Sequence, residues 1–230
     1  MIRYDIYENM LKENHLLIAG CTGSGKSVVV NGLIYTGLFY RPREKQFILI
    51  DPKRVELVEY KNLPHCLYYA SEPGTMVNAL QFAMNLCEKR YKAMQKRKQR
   101  LYTGSDVYVV IDEFADLILT DKKRVKPLIQ RLAQIGRAAK IHIVLCTQTP
   151  IAAVIPTEIK CNFDSRVGLR TRSKQDSINI LGFTGLETLP QYGQGIYFTP
   201  HENSLYNIPM IPDIDRKAMI KHWIRKHFIF

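Results

Sequence analysis

Residues 20–27, Gly-Cys-Thr-Gly-Ser-Gly-Lys-Ser, constrain this chain more than any other stretch. The spacing is G-x-x-x-x-G-K-S. It follows the short apolar run Leu16-Leu17-Ile18-Ala19 and leads into a helix-length apolar segment, residues 27–39, that stops before Arg41-Pro42-Arg43. Strand, glycine-rich turn and helix in that order make a phosphate cradle: glycines let backbone N–H groups turn inward, and the helix presents its positive end. Lys26 is then expected to reach the β- and γ-phosphates of ATP, and the Ser27 hydroxyl to ligate Mg2+. Gly20, Thr22, Gly23, Ser24, Gly25 and Val28 complete the expected nucleotide contacts.

The rest of the chain supports a parallel α/β fold. Phe47-Ile48-Leu49-Ile50, residues 107–111, residues 141–146, residues 166–169 and Ile196-Tyr197-Phe198 read as buried strands. Between them lie helical stretches. One opens at Pro73-Gly74 and carries Met76, Leu80, Ala83, Leu86, Tyr91 and Met94 on one face; others are expected over residues 125–139 and 214–230. Strands alternating with helices imply β-α-β units covered on both faces. At 230 residues, with 46% hydrophobic and 23% charged side chains, the chain is expected to form a single ordered domain over residues 1–230.

Two further strand ends carry chemistry. Asp112 and Glu113 follow the apolar residues 107–111, where a parallel sheet opens its ligand crevice. Asp112 there would hold the Mg2+ shell and Glu113 would polarise the attacking water, against the plainer readings of a strand-end turn and a first-turn helix acid. Gln148, after Thr147, is placed to sense the γ-phosphate, or simply to make a turn. The stretch Arg131-Leu132-Ala133-Gln134-Ile135-Gly136-Arg137-Ala138-Ala139-Lys140 sets arginine beside small residues, which fits either a finger for a neighbouring subunit or a surface ion pair.

Charge points to a partner. Thirty-three Lys and Arg against 21 Asp and Glu give +12, as expected for a polyanion-binding surface. The basic run Lys89, Arg90, Lys92, Lys96, Arg97, Lys98 and Arg100 reads as a solvated helix face, with a nucleic-acid surface as the alternative. No apolar run is long enough to cross a bilayer, no leader is visible, and five scattered cysteines fit a reducing cytoplasm better than disulfides or zinc.

Taken in order, these stretches resemble the FtsK/SpoIIIE family of DNA-translocase motors. The match runs through His15 and the glycine loop, Ile50-Asp51-Pro52-Lys53 with Glu56-Leu57, Leu63-Pro64-His65, and Glu88-Lys89-Arg90-Tyr91. It continues through Ile111-Asp112-Glu113-Phe114-Ala115-Asp116, residues 131–139, and Thr147-Gln148 with Pro150. The resemblance implies a RecA-like P-loop core, ATP hydrolysis, and a hexameric homo-oligomeric ring around double-stranded DNA without membrane insertion. It singles out Arg137 as the trans-acting finger. It also implies pore-facing segments at residues 151–160 and 172–177, with Lys174, Arg172, Arg170 and Lys160 as DNA contacts. Departures from the pattern are Thr149, where the family commonly has arginine, and a short segment between Tyr91 and Asp112. There is also little sequence before His15, and no room after the core for a winged-helix module. The competing expectations are a conjugative coupling or protein-export ATPase of the same branch, and a nucleotide switch with little turnover.

Overall fold

The computed structural model describes residues 5–151 and 153–227. Eight strands form one sheet: β1 (His15–Ala19), β2 (Lys45–Ile50), β3 (Cys66–Ala70), β4 (Asp106–Ile111), β5 (Ile141–Thr147), β6 (Ser165–Gly168), β7 (Gln194–Phe198) and β8 (Asn203–Asn207). Their order across the sheet is β3-β2-β4-β5-β1-β6-β7-β8. The first six run parallel; β7 is antiparallel to β6, and β8 is antiparallel to β7. The expected mainly parallel α/β core is therefore present, with an antiparallel edge.

Among the described residues eight α-helices flank it: α1 (Asp5–Met10), α2 (Lys26–Tyr40), α3 (Pro73–Lys96), α4 (Phe114–Thr120), α5 (Lys122–Ile135), α6 (Thr157–Lys160), α7 (Lys174–Leu181) and α8 (Asp213–His227). Alternate side chains of the central strands face opposite layers, as the pleat requires. Leu16, Ile18, Leu49, Val110 and Val144 pack beneath α2 and α8; Leu17, Ile48, Val109, Ile143 and Leu145 pack beneath α3 and α5. Because both faces are covered, the central strands are apolar throughout and their polar residues collect at the ends.

Several expectations need correction. The helix expected over residues 125–139 begins earlier and ends at Ile135, because the chain must turn back into β5 at Ile141. Gly136 lies so close to that returning strand that an added Cβ would stand 2.3 Å from the Ile141 carbonyl oxygen. The segment 172–177 is not all loop: Ser173 caps α7 by accepting a hydrogen bond from Asp176 N at 3.1 Å, and Lys174 is the first helical residue. The basic end of α3 is not wholly solvated, since Arg90 is only 5% exposed. The expected final helix runs to His227; the last three residues lie outside those described. Among the described residues no helix is long and apolar enough to cross a membrane.

Candidate nucleotide site

The strand order places three loops side by side. β5 lies between β1 and β4, so the glycine loop after β1 and the carboxylates after β4 flank the end of β5, where Thr147 and Gln148 stand. One cleft is lined by Thr22, Gly23, Gly25, Lys26, Ser27 and Val28 from the loop and helix start, with Asp112 and Gln148 facing them. The loop reaches its shape only with glycine at two positions, Gly23 at φ 73° and Gly25 at φ 101°. Gly20 sits where the loop leaves β1. Ser24 is folded beneath the turn, its buried hydroxyl without a hydrogen-bond partner among the described residues.

Lys26 bends back onto its own loop. Its ammonium donates to the Gly20 and Cys21 carbonyl oxygens at 2.8 and 2.9 Å. Burial holds its pKa below the usual lysine value, with Lys53 acting in the same direction. A cation only partly satisfied by two neutral carbonyls is poised to prefer phosphate oxygens.

Opposite it, Asp112 is 8% exposed and its pKa is pushed up to about 7 by burial and by the carboxylates of Asp51, Glu56 and Glu113, which Lys53 only partly offsets. Asp51 is fully buried; its Oδ2 accepts from Leu57 N at 2.9 Å, and its Oδ1 has no close hydrogen-bond donor among the described residues. This pocket therefore carries more negative charge than the protein itself neutralises. Hard oxygen donors carrying uncompensated negative charge fit Mg2+. Magnesium is held by one or two protein oxygens plus phosphates rather than by a full protein shell.

Glu113 takes a different direction from Asp112. It caps α4 and is 3% exposed. Its carboxylate accepts from Thr147 Oγ1 at 3.0 Å and from Gln148 N at 3.2 Å on both oxygens, with Lys53 Nζ at 3.8 Å. Gln148 in turn accepts a 2.7 Å hydrogen bond from Thr22 Oγ1 on the glycine loop. A continuous chain of contacts thus runs from the loop through Gln148 to Glu113.

The remaining candidates lie elsewhere. Arg137 is exposed and lies beside His15 and Ser165, at the starting ends of β1 and β6. The five-residue β1 separates it from the glycine loop by on the order of 15 Å. Arg172 borders the other side of the loop with Cys21 and Thr149, and exposed Lys174 follows it on α7. Arg170 contributes its carbonyl to Cys21 N at 2.8 Å. Lys160 stands apart from these, its ammonium hydrogen-bonded to the Asn179 carbonyl oxygen.

Four lining residues were not among the expected site residues. Lys53, Val55, Glu56 and Tyr192 edge the cleft, with Val55 and Tyr192 69% and 66% exposed. Asp51-Pro52-Lys53 at a strand end was the available signal for Lys53. Tyr192 comes from a loop distant in sequence, and nothing local marks it.

Fold and site together define a P-loop nucleotide-binding protein with an extra strand between the phosphate-loop strand and the acidic strand. The FtsK/SpoIIIE family model matches residues 2–106 and 96–152, and the chain belongs to that family. The two matched pieces overlap on the short segment joining α3 to β4. The DNA translocase FtsK of Rickettsia prowazekii is 38% identical over 233 aligned residues, covering 82% of this chain and 31% of that protein. The DNA translocase FtsK of Borreliella burgdorferi is also 38% identical, covering 85% of this chain and 27% of its own length. The chain thus spans about a third or less of these relatives. Among solved structures, the pCW3 conjugation coupling protein TcpA superposes with a TM-score of 0.80 at 24% identity, covering 93% of this chain and 66% of that one. The cytoplasmic domain of the type VII secretion ATPase EccC from Thermomonospora curvata gives 0.77 at 20% identity, covering 91% and 28%. At these identities the likeness is one of fold.

Proposed function

We propose that residues 1–230 form one motor domain that hydrolyses ATP to move double-stranded DNA through a ring of identical subunits, six by family resemblance. The observation carrying this reading is the convergence of Lys26, Ser27, Asp112 and Gln148 on one cleft while Arg137 stands exposed at the far end of the sheet. An arginine so placed cannot serve its own cleft, yet it can serve a neighbour's. Thirty-eight per cent identity to proteins named DNA translocases, and a net charge of +12, favour duplex DNA as the cargo. The likeness to coupling and secretion ATPases keeps polypeptide cargo as the outcome to test against. Five free cysteines suit a reducing cytoplasm.

In this reading the glycine-loop amides and Lys26 orient the triphosphate. Magnesium, held by Ser27 Oγ and the Asp112 carboxylate, would neutralise charge on the phosphates. Glu113 accepts the proton of the attacking water, for which its carboxylate must leave Thr147 Oγ1 and Gln148 N. Gln148, joined to Thr22 and to Glu113, couples occupancy of the loop to that release. A neighbour's Arg137 stabilises the charge that develops on the transferred phosphoryl group. Exposed Lys174 and Arg172 contact phosphates of the moving duplex.

The direct test is the ATPase rate with and without duplex DNA. The proposal expects duplex to stimulate hydrolysis and Lys26→Ala to abolish it. A rate indifferent to duplex would remove DNA as the cargo.

A further inference from the structure

Arg137 combines a free side chain with a turn whose carbonyls are all tied. Its guanidinium has no hydrogen-bond or ion-pair partner among the described residues. Yet each carbonyl from residue 135 to 140 has a donor. Ile135 O accepts from the Tyr91 hydroxyl at 2.8 Å, Gly136 O from Ile141 N at 3.0 Å, and Arg137 O from Lys140 N at 3.1 Å. Ala138 O accepts from Tyr102 N at 2.9 Å. Ala139 O and Lys140 O both accept from Arg90 Nη1, at 2.8 and 3.0 Å, and Lys140 O also accepts from Val107 N.

Three of these donors are not part of the turn or of its strand partners. Arg90 and Tyr91 project from α3, and Tyr102 lies just beyond it. Arg90 is buried, and its guanidinium carbon lies 4.4 Å from the centre of the Tyr102 ring. Burying an arginine to bind two neutral carbonyls is costly, and its Nε has no hydrogen-bond partner among the described residues. A helix this apolar on its inner face needs no such residue for packing. What the arrangement achieves is a turn held on both limbs, Tyr91 on the side of α5 and Arg90 on the side of β5.

We propose that Arg90 and Tyr91 are positioning residues for the Arg137 finger: they fix the 135–140 turn so that the guanidinium enters a neighbouring subunit's nucleotide cleft pre-oriented. This rests on the trans-acting role given to Arg137 above. A finger rooted in a rigid turn loses no further backbone freedom on insertion, and a misplacement of about 1 Å can cost roughly 100-fold in rate. Arg90→Met is accordingly expected to lower kcat about 100-fold and Tyr91→Phe about tenfold, with KM for ATP changed less than about twofold. Tyr91→Phe removes one hydroxyl from a half-buried ring, so it tests the proposal even if Arg90→Met fails to fold.

Mixed rings separate positioning from general damage. Lys26→Ala subunits keep a finger but have no working cleft, and Arg137→Ala subunits keep a cleft but have no finger. Mixing the two should restore ATP hydrolysis. With Tyr91→Phe added to the Lys26→Ala subunits, the finger donors, restoration should drop about tenfold. With Tyr91→Phe added instead to the Arg137→Ala subunits, the finger acceptors, it should be unchanged. Equal restoration in both arrangements, or equal loss in both, would overturn the positioning role while leaving the trans finger intact. If Lys26→Ala and Arg137→Ala subunits fail to restore hydrolysis at all, the trans finger is wrong and this proposal falls with it.

Discussion

Asp112 shows how strongly the site depends on a ligand's positive charge. Burial and three neighbouring carboxylates push its pKa from 3.8 to about 7. The native chain therefore holds a proton between about pH 4 and 7 that the unfolded chain has lost. The stability contributed by this group is fully present below about pH 4 and is lost as pH rises through about 7. Asp112→Asn is expected to raise the Tm of the nucleotide-free protein by several degrees at pH 8, with the gain shrinking toward pH 4, while abolishing hydrolysis. A lower Tm for the variant at pH 8 would show that the carboxylate is not held against its charge. Arg137→Ala makes a complementary prediction. Hydrolysis should fall by about a thousandfold or more, with binding of a non-hydrolysable ATP analogue retained within about twofold. Normal hydrolysis by the purified variant would remove Arg137 from the mechanism.

Among the elements, α5 has two tasks, sealing one face of the sheet and ending at the Arg137 turn. Leu132 is fully buried in that face and its carbonyl accepts from Gly136 N at 2.7 Å. Leu132→Ala should cost on the order of 3 kcal/mol, which for a chain of this size lowers the Tm by about 10 °C. A shift under about 2 °C would mean the helix is not seated as described. The sequence made some elements legible and others not, for physical reasons. The central strands β1, β2, β4 and β5 were readable because burial on both faces leaves continuous apolar runs. Strand β8, Asn-Ser-Leu-Tyr-Asn, escaped notice because an exposed edge strand needs little apolar surface. The end of α5 was misjudged because residues 137–140, Arg-Ala-Ala-Lys, are helix-compatible while tertiary contacts bend them away after Gly136. In the site, Lys26, Ser27 and Asp112 were legible through spacing and strand context. Glu113 was legible as the second acid after a strand end, but its engagement by Thr147 and Gln148 depends on β5 lying beside β4, which no local pattern reveals. Arg90 looked like one charge in a basic run, and only the fold shows it buried.

For the molecule as a whole, the two ends of the sheet carry different residues. The cleft lies where β1, β4 and β5 finish, and Arg137 stands where β1 and β6 begin, so a ring joining one end to the other would complete each site from two subunits. In the proposed ring, the basic residues near the cleft would face the cargo. If Lys174 contacts a DNA phosphate, Lys174→Ala should leave basal hydrolysis intact, weaken stimulation by duplex of any sequence, and reduce the salt dependence of that stimulation by about one unit of log–log slope. An unchanged slope would place Lys174 off the DNA path. The central claim is that hydrolysis drives movement along duplex DNA, and displacement of a third strand from a DNA triplex reads that movement directly. The protein is expected to strip the third strand only when ATP is hydrolysed, and Lys26→Ala should leave it bound. A third strand that stays in place while wild-type protein hydrolyses ATP on the same DNA would contradict the account.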